Sequence, residues 1–230
     1  MKLDDLNRRI VSCMVCPRLV KHREEVAENP PARFRGEKYW AKPLPGFGDV
    51  DARILVVGLA PAAHGGNRTG RMFTGDSSGN TLMKALYRAG YANIDTSVSA
   101  DDGLVLKDVY LTAVVRCPPP ANKPTQQEIS NCLPYLAEEL KILRNIRVAV
   151  ALGRVAFEGL FKLFKREKAF EGKTPVFRHG GTYRVSGFLY GRPLPIIIAC
   201  YHPSRQNTNT GRLRQEMIDA VFLRAREFVG

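Results

Sequence analysis

Four short apolar runs constrain the fold of this chain more than any other feature of its sequence. They span Arg53 to Gly58, Val109 to Val115, Arg147 to Leu152 and Leu194 to Cys200. Continuous runs of this length are typical of strands that are buried on both faces of a parallel sheet. Because segments of helical spacing separate them, the sequence predicts an α/β fold with three layers, α/β/α, around a central, mainly parallel sheet of about four strands.

The segments around these runs contain helix and strand signals. Spacing predicts helices over Leu3 to Cys13, Val155 to Phe164 and Gly211 to Val229, and a further strand over Tyr183 to Leu189. Another helix is expected to begin at a cap formed by Ser77 or Ser78 and to stop at Gly90. We expect one domain, residues 1–230, because 230 residues with 44% hydrophobic content can build a single core.

Prolines and a capping pattern mark two further segments. Thr125 and Glu128 form a capping box that opens a helix, and Pro134 is expected to kink or split it. The stretch from Asn29 to Gly48 contains four prolines and three glycines, which predicts an irregular but ordered arm across the surface.

The charge of the chain indicates a polyanionic partner. Lys and Arg number 35 against 22 Asp and Glu, which gives a formal net charge of +13, and such charge favours nucleic acid through counterion release. No basic amphipathic helix or long apolar run points to a membrane, and acid at Asp4 and Asp5 is unlike a secretory signal. We therefore expect a soluble, cytoplasmic protein with no membrane contact.

Five cysteines are an odd number for a disulfide framework, which a chain of this length does not need. Cys13 and Cys16 form a C-x-x-C pattern, Cys117 follows the second apolar run, and Cys132 lies in the next predicted helix. These four could complete a sulfur shell for one iron–sulfur cluster or one zinc ion. Alternatively, Cys117 and Cys132 are core residues. Cys200 is predicted to be a small buried hydrophobic residue.

Three polar loops follow the predicted strands, where an open parallel sheet binds its ligands. They span Gly58 to Asp76, Cys117 to Pro124 and Tyr201 to Arg212. The first is rich in glycine but lacks the lysine and the spacing of a P-loop, so a nucleoside triphosphate is not expected. The sequence predicts that binding and chemistry occur where these loops meet.

The cysteines and the three loops together resemble the iron–sulfur uracil-DNA glycosylases, from Cys13 to Arg212. The first loop, with G-L-A-P-A and H-G-G-N-R-T-G-R, looks like their family 5 branch. Family 4 enzymes have an acid where Leu59 stands here and an asparagine where Ala113 stands. The resemblance implies a base-flipping enzyme that removes uracil, and could remove hypoxanthine or other deaminated bases, from double-stranded DNA. It also implies one [4Fe–4S] cluster on an N-terminal arm, held by Cys13, Cys16, Cys117 and Cys132.

Chemistry suggests roles for residues in these loops, because glycosidic cleavage leaves positive charge on the sugar and negative charge on the base. His202 could donate a hydrogen bond or proton to the base, Asp76 could orient water, and Asn122 could share that water or hold the base edge. Asp76 could instead be a helix N-terminal acid that only stabilises the helix dipole, and His202 could be structural. Phe73 could stack on the flipped base, although core packing is the ordinary role of phenylalanine.

The remaining expectations concern the DNA. The residues expected to bind the substrate are Gly58, Ala60, Pro61, Phe73, Asn80, Arg68, Arg71, Arg205 and Gln206. Among the cations, we expect Arg68, Arg71, Lys123, Arg205 and Arg212 to hold the DNA, and Arg205 and Gln206 could form a wedge. We expect a monomer, while a sliding-clamp partner cannot be read from the sequence. Two alternatives remain open, a cluster-bearing nuclease and a non-catalytic nucleic-acid-binding protein held together by zinc.

Overall fold

The computed structural model describes residues 2–230 and contains eight strands. They are β1 Phe47–Gly48, β2 Ile54–Gly58, β3 Val109–Ala113, β4 Val148–Leu152, β5 Thr182–Tyr183, β6 Phe188–Leu189, β7 Arg192–Pro193 and β8 Ile196–Cys200. Six of them form one sheet in the order β1-β3-β2-β4-β8-β5, and its four inner strands are parallel. β1 and β5 pair antiparallel at the two edges, and β6 and β7 form a separate pair. The prediction of a mainly parallel central sheet is confirmed.

Helices cover both faces of this sheet. They are α1 Leu3–Val11, α2 Pro17–Glu28, α3 Gly66–Thr69, α4 Ser77–Arg88, α5 Gln126–Ile142, α6 Arg154–Arg166, α7 Arg205–Asn209 and α8 Gln215–Glu227, with 3-10 turns at Ala32–Phe34 and Pro120–Asn122. α5 and α6 pack on one face, and α4 and α8 pack on the other. The three-layer arrangement is thereby confirmed. Within residues 2–230, no helix is both long enough and apolar enough to cross a membrane.

The strand β2 shows why the apolar runs are continuous. All five of its residues are buried. Leu55 and Val57 belong to the core on the α5 and α6 side, whereas Ile54 and Val56 belong to the core on the α4 and α8 side. A strand that is buried on both faces needs apolar side chains at successive positions rather than at alternate ones.

Pro134 does not split α5, which is continuous from Gln126 to Ile142. A proline inside a helix leaves the carbonyl four residues earlier without its usual donor. Here that carbonyl belongs to Ser130, and Arg166 of α6 donates a hydrogen bond to it at 3.2 Å. The neighbouring helix therefore satisfies the acceptor that Pro134 leaves free.

Other differences from the sequence expectations lie at element ends. α4 is capped by Asp76 rather than by Ser77 or Ser78, and the strand expected over Tyr183 to Leu189 is reduced to two short pieces. Helix α2 was not predicted. It begins directly after Cys16 with a proline at its first position, and Arg18 forms an ion pair with Glu128 of α5 at 2.6 Å.

Candidate active site

A cavity of about 540 Å³ opens at the carboxyl edge of the sheet. All three predicted loops contribute to its wall. The sequence-predicted residues that line it are Ala60, Pro61, Phe73, Asp76, Asn122, His202, Arg205 and Gln206. The parallel strands explain this convergence, because β2, β3 and β8 all end at the same edge.

Asp76 lines the cavity and lies at the N-terminus of α4. Its Oδ1 accepts a hydrogen bond from the backbone N–H of Gly79 at 2.8 Å, which caps α4. Burial raises the pKa of the Asp76 carboxyl above its ordinary value, and the backbone N–H groups of Gly79 and Ser78, with the charge of Arg205, oppose that rise. Its Oδ2 lies against Gly65, where a Cβ would stand only 2.4 Å away. Asp76 is therefore both a helix cap and a cavity residue.

His202 follows β8 and lines the same cavity. Burial lowers the pKa of its imidazole to about 4, so the ring is neutral near pH 7. The side chain of Asn207 holds the backbone of His202 in place by donating a hydrogen bond to the His202 carbonyl at 2.8 Å. Gly153 leaves room for it, because a Cβ there would stand 3.2 Å from the Cβ of His202. A neutral imidazole can donate one hydrogen bond without adding positive charge.

Three residues in the cavity wall have left-handed backbone conformations. Phe73 has a φ of 50°, Ala121 of 52° and Asn122 of 56°. Residues other than glycine adopt this region at a cost, and such strain clusters at functional sites. The ring of Phe73 packs over Gly58, where a Cβ would lie 2.6 Å from its Cζ. The lack of a side chain at Gly58 therefore leaves room for the Phe73 ring.

Comparison with known proteins agrees with this geometry. The model of the uracil DNA glycosylase superfamily matches residues 45–226. A type-5 uracil-DNA glycosylase of Thermus thermophilus is 51% identical, over 96% of this chain and 95% of the relative. One of Pyrobaculum aerophilum is 46% identical, over 96% of this chain and 91% of the relative. The chain belongs to the type-5 uracil-DNA glycosylase family. The resemblance inferred from the loops is confirmed.

A type-4 uracil-DNA glycosylase of Pyrobaculum aerophilum is also similar, at 31% identity over 89% of this chain and 84% of the relative. In this type-5 chain, Leu59 and Ala113 line the cavity. Both are the positions at which the sequence departs from the family 4 pattern. The two residues that differ from the family 4 pattern therefore lie in the wall of the cavity.

Two arginines that the sequence assigns to DNA binding in this family member have partners within the protein. Arg68 pairs with Glu37 at 2.6 Å and donates to the carbonyls of His64 and Gly75. Arg71 is buried and pairs with Asp102 at 2.7 Å. Neither lines the cavity. Their charges hold the first loop in place, and Arg71 does not face solvent where DNA could reach it.

Asn80 also lies away from the cavity wall. Its Oδ1 accepts a hydrogen bond from the backbone N–H of Ser97 at 3.3 Å, which ties α4 to the following loop. The sequence analysis assigned Asn80 to the substrate site, but Asn80 is not among the residues that line the cavity. The helix turns its side chain toward the loop instead.

Arg33 is a cavity residue that the sequence reasoning missed. It lies in the 3-10 turn Ala32–Phe34, is exposed, and lines the cavity beside the three loops. The proline-rich arm around it shows no periodic pattern. The available signal was the alternation of cations and aromatic residues between Arg33 and Trp40, which is typical of nucleic-acid contacts.

The four predicted ligand cysteines come together at a second place. Cys13, Cys16, Cys117 and Cys132 line one small cavity between the N-terminal segment and α5. Arg23 donates to the Sγ of Cys117 at 3.3 Å and Asn131 donates to the Sγ of Cys16 at 3.4 Å. Cys117 and Cys132 are buried in the core, as the alternative interpretation expects, and they also share this cavity with Cys13 and Cys16. Cys200 lies elsewhere, fully buried in β8 as predicted.

Two types of metal group use cysteine ligands of this kind. Within residues 2–230, no group of three or more His, Cys, Asp or Glu side chains is arranged to hold a single metal ion. A zinc ion needs four ligands at about 2.0–2.3 Å from one point. A multi-iron cluster spreads its cysteine ligands over several iron atoms. Both kinds of group take cysteine ligands, and the metal content of the purified protein distinguishes them.

We predict that Asp76→Asn raises the melting temperature of the protein near pH 7. The raised pKa of Asp76 means that folding disfavours its ionised form, and asparagine remains a good cap for α4. The gain should shrink as the pH falls through the folded pKa, because the wild-type carboxyl then becomes neutral as well. Thermal unfolding from pH 4 to pH 8 measures this.

The control is Asp101→Asn. The Asp101 carboxylate is exposed, and its pKa is lowered by a hydrogen bond from Ser99. This variant should bring no gain near pH 7. Equal melting temperatures for Asp76→Asn and wild type at every pH would show that the Asp76 carboxylate is not held in a costly environment.

Proposed function

We propose that this protein hydrolyses the N-glycosidic bond of uracil in DNA, releases the free base and leaves an abasic site. The observation that supports this most is one cavity that contains both a carboxylate of raised pKa, Asp76, and a neutral imidazole, His202. Its relatives bear the name of this activity. The net charge of +13 supports DNA as the substrate.

The base is proposed to leave the duplex and enter the cavity beside Phe73. An enzyme that acts on the glycosidic bond must take the base out of the stack. Phe73 offers an aromatic face in the wall, and the left-handed backbone at this residue holds the ring over Gly58. The cavity of about 540 Å³ falls in the range that encloses small organic ligands, about 300–1,000 Å³.

His202 is proposed to stabilise the departing base. As the bond breaks, an oxygen of the base gains negative charge, and a hydrogen bond from a nearby N–H lowers the energy of that state. Because the imidazole is neutral, it acts as a hydrogen-bond donor rather than as a cation. This role needs no proton uptake by His202 before the reaction.

Asp76 is proposed to stabilise the positive sugar and to orient the attacking water. A carboxylate with a raised pKa is a stronger base toward water than a free aspartate. Asn122 lies in the same wall with an exposed side chain, where its amide can hold that water or the edge of the base. The strained backbone at Asn122 supports a positioning role.

We further propose that hypoxanthine and other deaminated bases are accepted. Ala113 lines the cavity at the end of β3, and its methyl group offers no hydrogen bond to the edge of a base. A site that bonds a substrate edge rejects other bases strongly, whereas an apolar wall discriminates weakly. The small side chain at this position favours a broader range of bases.

One [4Fe–4S] cluster is proposed for the cysteine-lined cavity, with Cys13, Cys16, Cys117 and Cys132 as its ligands. When bound, such a cluster would serve as a covalent link between the N-terminal segment and α5. The residues around the cavity suit this role. Arg23 is buried and donates to the Sγ of Cys117, which stabilises negative charge on sulfur.

The partner is proposed to be double-stranded DNA, bound by a monomer in the cytoplasm. The base cavity opens beside Arg33, Arg205 and Gln206, of which all three are exposed. Gln206 follows Arg205 at the start of α7, where it could fill the gap that a flipped base leaves. The position of these residues supports approach of a duplex from this side.

The nuclease alternative receives no support from the cavity. Metal-dependent nucleases hold their ions with several carboxylates. Among the described residues, Asp76 is the single acid in the cavity wall. A single carboxylate suits hydrolysis of a glycosidic bond better than a metal-dependent attack on phosphorus.

We predict that Asp76→Ala and His202→Ala each lower the single-turnover rate of uracil excision by about 10²-fold or more, as loss of an acid–base or charge-stabilising group does. Binding of the uracil duplex should change little. The assay is release of uracil from a labelled duplex, read as strand cleavage after alkali. Hypoxanthine in the same duplex tests the wider range of bases.

Matched controls are Asp101→Ala and His22→Ala, because Asp101 and His22 lie outside the cavity wall. Both should excise uracil at the wild-type rate. If Asp76→Ala and His202→Ala also kept that rate, the assigned roles would be wrong. Nicking that needs magnesium and no alkali would point to the nuclease.

The cluster is tested on the purified protein by its metal content and colour. We predict about four irons and four sulfides per chain and absorption near 400 nm, from sulfur-to-iron charge transfer. Cys117→Ser should lose both. A colourless protein with one bound zinc ion per chain would instead favour the alternative of a zinc-bound nucleic-acid-binding protein.

A further inference from the structure

A second cavity adjoins the base cavity. Its volume is about 290 Å³, and five residues line both cavities, namely Arg33, Ala62, Asp76, Asn122 and Arg205. Phe34 and His64 line the second cavity alone. Asp76 and Asn122, both assigned above to the attacking water, therefore lie at the junction of the two cavities, whereas His202 lines the base cavity alone.

The residues shared by the two cavities suggest where the parts of a flipped nucleotide would lie. On the proposed function, the glycosidic bond must lie near Asp76 and Asn122, and the base extends from there toward Phe73 and His202. The deoxyribose and its phosphate then extend in the other direction. The second cavity is the space on that side of the junction.

The chemistry of the second cavity suits an anion. Arg33 and Arg205 are both exposed, and neither pairs with a carboxylate in the described part of the chain. Arg68, by contrast, is paired with Glu37. Two guanidinium groups from separate elements, the 3-10 turn Ala32–Phe34 and α7, thus line one cavity in which Asp76 is the single carboxylate among the described residues.

Several contacts hold Arg33 in position before any ligand binds. Its guanidinium lies 4.6 Å from the centroid of the Phe34 ring, and that of Arg68 lies 4.2 Å from the same centroid. The Tyr39 hydroxyl bonds Nδ1 of His64 at 2.9 Å. The backbone N–H of Trp40 donates to the Arg68 carbonyl at 3.0 Å. The arm is therefore fixed to the first loop, which reduces the cost of ordering Arg33 on binding.

We propose that Arg33, together with Arg205, binds one of the two DNA phosphates attached to the sugar of the flipped nucleotide. A guanidinium fork matches the oxygens of a phosphate and gives a short, charge-assisted contact. Arg33 lies outside residues 45–226, the part that the superfamily model matches. The arm therefore adds a phosphate contact from outside the shared core.

The test combines a protein variant with a change in the DNA. The duplex contains 2′-fluoro-deoxyuridine, whose glycosidic bond resists cleavage because fluorine destabilises the sugar cation. In two further duplexes, one flanking phosphate at a time is replaced by a neutral methylphosphonate. Dissociation constants of wild type, Arg33→Ala and Arg35→Ala are measured with all three duplexes and over a range of salt concentrations.

Arg33→Ala should weaken binding of the unmodified duplex by about tenfold, typical of a hydrogen bond to a charged group. Its salt dependence should fall by about 0.9 in slope, equivalent to one phosphate. On one of the two methylphosphonate duplexes the variant should lose almost nothing relative to wild type. Arg35 is exposed and lines neither cavity, so Arg35→Ala should have a small and equal effect on all three duplexes.

An effect of Arg33→Ala that is equal on all three duplexes, or no larger than that of Arg35→Ala, would overturn the proposal. Failure of the proposed function is distinguishable, because it would appear as absence of uracil release by the wild type from an ordinary uracil duplex. The exposed position of Arg33 keeps the fold of the variant intact, which its melting temperature checks.

Discussion

The rest of the site depends on one carboxylate that has two tasks. Asp76 caps α4 through the backbone N–H of Gly79, and this bond fixes its position at the wall of the base cavity. The same burial that positions it raises its pKa, so the folded protein tolerates a charge in a costly place. Gly65 is part of this arrangement, since any larger residue would meet the carboxylate. A helix cap and a reactive group are thus one residue.

The positive charge of the chain is divided between two uses. Arg68 and Arg71 are paired with acids and hold the first loop that presents Asp76. Arg33 and Arg205 line both cavities at the catalytic junction, and neither forms an ion pair with a carboxylate among the described residues. A net charge of +13 attracts DNA over a distance. Only an arginine that is not already paired with an acid can bind a DNA phosphate at a defined position. The distinction between the two groups of arginines follows from which acids fold beside them.

Much of the fold could be predicted from the sequence because its strands are buried on both faces, and continuous apolar runs signal this directly. The convergence of the loops followed from parallel topology. The cap of α4 was misjudged, because serine and aspartate are both good caps and only the backbone decides between them. The sequence could not show that Arg71 is paired within the protein, because its partner Asp102 lies 31 residues away. It could not place Arg33 at the cavity either, because the arm around Arg33 has no periodic pattern.

The pH dependence of single-turnover uracil excision shows whether an ionised Asp76 acts beside a neutral His202. The rate should fall on the acid side at a pH above the ordinary aspartate value of 3.8, and Asp76→Asn should remove this dependence as well as most of the rate. Because burial lowers the pKa of His202 to about 4, no change is expected near pH 6.5. A transition near pH 6.5 that His202→Ala removes and Asp76→Asn retains would show that His202 titrates during the reaction and that Asp76 does not set the pH dependence.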